Sequence, residues 1–88
     1  MKDIQVTIEN KLGLHARPAA KLVQTAAKFE SDIFLSRESQ VVNGKSIMGV
    51  MMLAAEKGAE LTISANGVDE EDALQALLAL FQEKFEEE

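Results

Sequence analysis

The sequence predicts an α+β domain, one β-sheet with helices on one side, in the order β-α-β-β-α-β-α. Three observations carry this. Ile4, Val6 and Ile8, and again Leu61, Ile63 and Ala65, alternate with polar residues at the period of a half-buried strand. From Ala16 and again from Asp69, apolar residues recur at helical spacing. Each element therefore has one apolar face, and two packed layers satisfy all of them. At 88 residues and 47% hydrophobic, the chain can build one modest core and is read as a single domain over residues 1–88.

The elements follow in order. Asp3, Gln5, Thr7 and Glu9 are the polar partners of Ile4, Val6 and Ile8 in the first strand, and Asn10 to Leu14 form a loop. Pro18 suits a first helical turn, where its missing N–H is no loss. A helix is thus expected from about Ala16 to near Phe29, burying Ala19, Leu22, Val23 and Ala26, with Lys21, Gln24 and Lys28 pointing elsewhere. Asp32 to Arg37 read as a strand with Ile33 and Leu35 inward and Phe34 outward. Glu38 and Ser39 turn the chain into a short strand from Gln40 to Asn43. Asn43-Gly44 is a turn signal, and Ser46 an N-cap candidate for a short helix in which Ile47, Val50, Met51 and Leu53 share much of one side. Gly49 weakens that helix by about 1 kcal/mol relative to Ala, and Lys57-Gly58 is expected to end the segment. Glu60 to Asn66 form the last strand and Asn66-Gly67 a turn. Asp69 is expected to cap a helix whose first turn holds Glu70, Glu71 and Asp72 and whose stripe runs Ala73, Leu74, Leu77, Leu78, Phe81 and Phe85. Glu86, Glu87 and Glu88 lie at its unfavourable negative end, where fraying is expected.

Composition removes several function classes. Without cysteine there is no disulfide, thiolate metal site or cysteine nucleophile. The N-terminal stretch lacks the basic start and apolar run of a signal peptide. No apolar stretch approaches the roughly 20 residues of a membrane helix, so no membrane insertion and a cytoplasmic location are expected. The net charge of −6 is unevenly spread. Residues 11–28 hold Lys11, Arg17, Lys21 and Lys28 and no acid, whereas residues 69–88 hold eight acids against Lys84. A local basic patch on an acidic body suits an acidic partner or a phosphoryl group. It does not suit direct nucleic-acid binding, which draws on a broad basic surface and stacking aromatics.

The basic patch surrounds the only histidine and the only proline, in Gly13-Leu14-His15-Ala16-Arg17-Pro18-Ala19-Ala20. His15 falls at the start of the first helix. Helix N-termini offer open N–H groups and a partial positive charge that suit phosphate, and Arg17 adds a guanidinium able to bond phosphate oxygens in a fork. Nucleophile, amides and cation together suit reversible phosphorylation of His15. An imidazole of ordinary basicity is mostly neutral, and so nucleophilic, at pH 7. A single histidine without organised carboxylates makes no zinc site, and neither a metal nor a cofactor is expected.

The run Gly13 to Ala20, followed by Val42-Asn43-Gly44-Lys45-Ser46-Ile47-Met48-Gly49-Val50-Met51, resembles the HPr family, the histidine phosphocarriers of the bacterial phosphoenolpyruvate:sugar phosphotransferase system. The resemblance spans essentially the whole chain. It implies an open-faced β-sandwich whose four-stranded antiparallel sheet is ordered 1-4-2-3 and covered on one face by three helices. It also implies a carrier, without small-molecule turnover of its own. His15 would accept a phosphoryl group at Nδ1 from phosphorylated enzyme I and pass it to enzyme IIA components, cradled by Arg17 and the backbone amides of Ala16 and Arg17. The apolar surface of Ile47, Met48 and Met51 would dock partners, with Lys21 from the basic patch. A monomer is expected.

Two positions keep alternatives open. Ser46 resembles the serine that an HPr kinase/phosphorylase modifies in HPr proteins of low-GC Gram-positive bacteria, where the product serves a catabolite-control transcription regulator; it also reads as a plain helix cap, and the two roles are compatible. Met48, Met51 and Met52 read either as core or as an adaptable docking surface. Leu12 departs from family members that carry a small polar residue before the site glycine, so no role is assigned to it. A regulatory HPr paralogue, of the nitrogen-related branch or a phosphoserine corepressor adapter, and an interaction domain in which His15 is only a cap stand as the alternatives to a carrier.

Overall fold

The computed structural model describes residues 1–86. The elements are β1 (Lys2–Thr7), α1 (Ala16–Ala26), β2 (Asp32–Arg37), β3 (Gln40–Asn43), α2 (Ile47–Met52), β4 (Glu60–Asn66) and α3 (Glu70–Gln82), followed by a tight turn over Lys84–Glu86. The four strands form one antiparallel sheet ordered β1-β4-β2-β3. Register puts Ile4 opposite Ile63, Ile33 opposite Ala65 and Leu35 opposite both Ile63 and Val42. Because successive side chains alternate faces, Val6, Ile33, Leu35, Leu61, Ile63 and Ala65 all point to the covered side and are buried. There they meet Ala19, Leu22, Val50, Ala73, Leu77 and Phe81 of the helices. The other face, with Gln5, Phe34, Val41 and Thr62, stays open. The architecture is the open-faced α+β sandwich expected.

Three helix ends and one cap differ from the sequence reading. Helix α1 stops at Ala26 rather than near Phe29. The amides of Glu30 and Ser31 turn away from any helix to the carboxylate of Asp69, each at 2.9 Å, and the Ser31 hydroxyl donates to the same group. For the same reason Asp69, although at the N-cap position, makes no cap bond to α3. Glu70 instead accepts the Gly67 N–H at 3.0 Å. Helix α2 ends at Met52, well before Lys57-Gly58, because Ala54 adopts a left-handed φ of 50° and reverses the chain. Helix α3 ends at Gln82. Phe85 still reaches the core, but through a left-handed turn at Lys84, Phe85 and Glu86, and packs edge-on against Phe81 at 4.9 Å. Of the expected fraying segment, Glu87 and Glu88 lie outside the described residues, while Glu86 accepts a bond from Lys21.

The Ser31 hydroxyl and the Glu30 and Ser31 amides hold the Asp69 carboxyl below the ordinary carboxylate range. A carboxyl whose pKa is depressed on folding contributes stability that is full above its unfolded pKa and is lost as pH falls through the folded one. Thermal unfolding from pH 7 down to pH 2 is therefore expected to show a fall in Tm beginning near pH 4, and Asp69→Asn should lower Tm at pH 7 and flatten that acid limb. An unchanged limb would remove Asp69 as its source.

Candidate functional site

The site is built at the junction of the loop after β1 with the N-terminus of α1. Asn10 is buried, and its side-chain amide donates to the Gly13 carbonyl at 2.6 Å while the Gly13 N–H returns to the Asn10 carbonyl at 3.1 Å. These bonds close a compact turn that presents Lys11 and Leu12 outward. Gly13 has a φ of 69°, a conformation that favours glycine, and a Cβ there would stand 2.4 Å from the Ala55 carbonyl oxygen. Leu14 is buried and donates its N–H to that same carbonyl at 2.9 Å. Further back, Ile8 exchanges backbone bonds with Ala59 and Gly58 at 2.9 and 2.8 Å. The loop thus rests on the turn that follows α2.

His15 takes the N-cap position of α1 in extended backbone and is half-buried; its carbonyl accepts the first helical N–H, from Ala19, at 3.0 Å. Pro18, in the first turn, has no N–H to offer. The first-turn donors without an intrahelical acceptor are then the amides of Ala16 and Arg17, next to the His15 ring in the chain. Arg17 is exposed on the same turn. No acidic residue occurs from Asn10 to Phe29 or from Ser39 to Ala55, the segments that supply the loop, α1 and α2. Among the described residues, no group of three His, Asp or Glu side chains could hold a metal ion.

Ser46 caps α2, its Oγ accepting the Gly49 N–H at 3.1 Å. The inward side of α2 carries only Val50 and Leu53; Ile47 and Met51, expected to share it, face out with Met48 and Met52. A helix of six residues buries one narrow line, and positions 50 and 53 take it. All three methionines of α2 are therefore surface residues, Met48 at 70% exposure. Lys21 is not displayed as Arg17 is: its ammonium donates to the Phe85 carbonyl at 2.9 Å and pairs with Glu86 at 3.2 Å. Sequence reasoning missed Asn10, whose burial in a polar loop leaves no periodic signal. It also missed the turn at 53–56, which nothing in the local pattern connects to His15.

A histidine at a helix N-terminus, amides with no helical acceptor and a basic first turn on a small α+β domain form a geometry suited to a phosphoryl group. Comparison with known proteins places the whole chain in a family. The family model described as "PTS HPr component phosphorylation site" matches residues 2–83. Phosphocarrier protein HPr of Xylella fastidiosa is 51% identical over 88 residues, covering 100% of this chain and 99% of that protein. The HPr-like protein Crh of Bacillus subtilis is 50% identical over 80 residues, covering 91% and 94%. The crystal structure of HPr-C-His from Thermoanaerobacter tengcongensis superposes with a TM-score of 0.97 at 51% identity, covering 100% of this chain and 99% of that one. The chain belongs to the HPr phosphocarrier family, whose members carry phosphoryl groups and are not enzymes.

Gly13→Ala tests the seating of the loop. A left-handed φ costs a residue with a Cβ about 1–2 kcal/mol, and the contact with the Ala55 carbonyl adds to it. Denaturant unfolding should show a loss of roughly 2 kcal/mol with an unchanged m-value, together with shifted His15 ring signals in NMR. Wild-type stability and ring signals would show that the loop does not need this approach.

Proposed function

We propose that this chain is a cytoplasmic phosphocarrier that takes a phosphoryl group on His15 from phosphorylated enzyme I, itself charged by phosphoenolpyruvate, and delivers it to enzyme IIA components. The observation that carries the reading is the placement of His15 as N-cap immediately before two open first-turn amides and an exposed arginine. In the transfer the His15 Nδ1 lone pair forms a bond to phosphorus as the donor's bond to phosphorus breaks, and the ring keeps its Nε2 proton. Such transfer is mostly positioning and charge stabilisation. The Ala16 and Arg17 amides and the Arg17 guanidinium face the negative oxygens; an arginine in a first turn runs against the helix dipole unless an anion visits. Ile47, Met48 and Met51 form the apolar surface on which a partner docks. Lys21 contributes to it only when released from Phe85 and Glu86.

The test is intact mass after incubation with enzyme I and phosphoenolpyruvate. The expected result is a gain of one phosphoryl group, labile in acid as a phosphoramidate is, and absent in His15→Ala, which should remain folded. An acid-stable label, or labelling that survives the substitution, refutes the assignment.

A regulatory role at Ser46 is a second layer of the same proposal, supported by its capping geometry: a phosphate at a helix N-terminus is electrostatically welcome. Modification by an HPr kinase/phosphorylase would place that charge beside the Ile47, Met48 and Met51 surface and hinder docking of an acidic partner. It would at the same time create the form that a catabolite-control transcription regulator reads. A purely regulatory paralogue, of which Crh is a relative, is the alternative; such an adapter could dispense with His15, and this chain has it. In assays of transfer rate against carrier concentration, Ser46→Ala should transfer normally while losing about 1 kcal/mol of stability with its cap. Ser46→Asp should keep the cap and raise KM severalfold. Equal curves for Ser46→Asp, kinase-treated protein and wild type would leave Ser46 as a cap only.

A further inference from the structure

The strand register carries Arg37 to an unusual place. In β2, Ile33 and Leu35 point to the covered side, and Arg37 continues that line one step beyond the core. A guanidinium emerging on the helix side of a sheet needs partners. It finds them at the C-terminal end of α2, where the last carbonyls of a helix have no intrahelical donor. Nη1 donates to the Leu53 and Ala54 carbonyls at 3.2 and 3.1 Å, and Nη2 to the Glu56 carboxylate, whose nearer oxygen is 2.8 Å away. Gln40, directly opposite Arg37 in the β2–β3 ladder, donates to the Met52 carbonyl at 3.4 Å. The end of this hairpin thus binds three consecutive carbonyls at the exit of α2.

The turn so held is the one that seats the phosphoacceptor loop. Ala55, between Ala54 and Glu56, both gripped by Arg37, gives its carbonyl to the Leu14 N–H. Gly13 lies against the Ala55 carbonyl and the Glu56 Cα with no room for a side chain. Leu14 in turn immediately precedes His15. Within the turn, Ala54 holds a left-handed φ of 50°, a conformation a non-glycine residue keeps only where its surroundings over-determine it. Arg37 and Gln40 provide that over-determination from the sheet side, and Gly13 and Leu14 provide it from the loop side.

We propose that Arg37 is a positioning residue for phosphoryl transfer: braced on Leu53, Ala54 and Glu56, it fixes the turn that sets the height and orientation of His15. The proposal rests on the phosphocarrier reading, and it assigns a transfer role to a residue about twenty positions from the acceptor in sequence and on another layer of the fold. Positioning errors of about 1 Å can cost up to about a hundredfold in rate. A loop that loses one brace but keeps Asn10, Gly13 and its bonds to Ala59 should lose less, about three- to tenfold.

The experiment compares Arg37→Met, which keeps the aliphatic length, with Arg37→Lys and Glu56→Gln. Two readouts are taken on each: hydrogen exchange of the Leu14 amide relative to that of Ile63 in the sheet core, and saturating transfer rate against KM with phosphorylated enzyme I. The expected result for Arg37→Met is Leu14 exchange accelerated about tenfold beyond any change at Ile63. With it should come a saturating rate lowered about three- to tenfold, KM within about twofold, and shifted His15 ring 15N signals. Arg37→Lys should recover part of both effects, and Glu56→Gln should show them in weaker form. If Leu14 and Ile63 accelerate together while the saturating rate stays within about twofold, Arg37 is only a stabilising residue and the proposal fails. Should Arg37→Met not fold, the same readouts on Glu56→Gln decide. Should the wild-type protein take up no phosphoryl group, the carrier reading fails; the exchange ratio and His15 ring signals still support or overturn the brace.

Discussion

The antiparallel pairing of β4 on both of its edges is the constraint on which the rest of the molecule depends. β1 and β2 both precede β4 in the chain, yet the last strand enters between them. Its inward line of Leu61, Ile63 and Ala65 is buried throughout. Burial of a Leu or Ile side chain contributes about 1.5–3 kcal/mol, and a one-residue slip would turn that whole line outward. The sheet and helices therefore close together: without β4, β1 has no partner strand and the apolar stripe of α3 loses one of the two strands it packs against.

The site follows from this topology. Because β1 lies beside β4, the loop leaving β1 runs alongside the segment entering β4, and backbone bonds from Ile8 to Gly58 and Ala59 and from Leu14 to Ala55 join the two. The loop that carries His15 is thus a short span held at both ends by sheet and turn, and α1 begins where that span ends. What faces solvent there is a histidine, two amides with no helical acceptor and a cation. The nearby surface of α2 is apolar, because a short helix buries one line of residues and leaves its methionines outside.

Polar side chains fasten the loops at points where apolar packing is thin. Asp69 gathers the chain between α1 and β2. Arg37 grips the turn after α2. Lys45 reaches the Phe29 carbonyl at 2.7 Å, and Lys21 the Phe85 carbonyl at 2.9 Å. Each spans elements remote in sequence, and each satisfies backbone carbonyls or amides in a turn or connection, where they have no regular ladder to pair with.

The sequence by itself determined the order and type of every element, the inward faces of the strands, the helix start at Ala16 and the cap at Ser46. These are local matters of period, proline and hydroxyl placement, and local steric rules decide them. The cluster of His15, Arg17 and Pro18 was legible for the same reason, since its members are neighbours in the chain. The strand order came from family resemblance, because periodicity carries no information about which strands pair. Only the tertiary structure decided where helices stop, since Asp69 draws off the amides that would have extended α1 and Ala54 reverses the chain after α2. It alone turned Ile47 and Met51 outward, tied Lys21 to the C-terminal turn and set Arg37 against the support of the His15 loop. Those outcomes depend on contacts between residues far apart in the chain, and such contacts exist only once the sheet has brought its strands together.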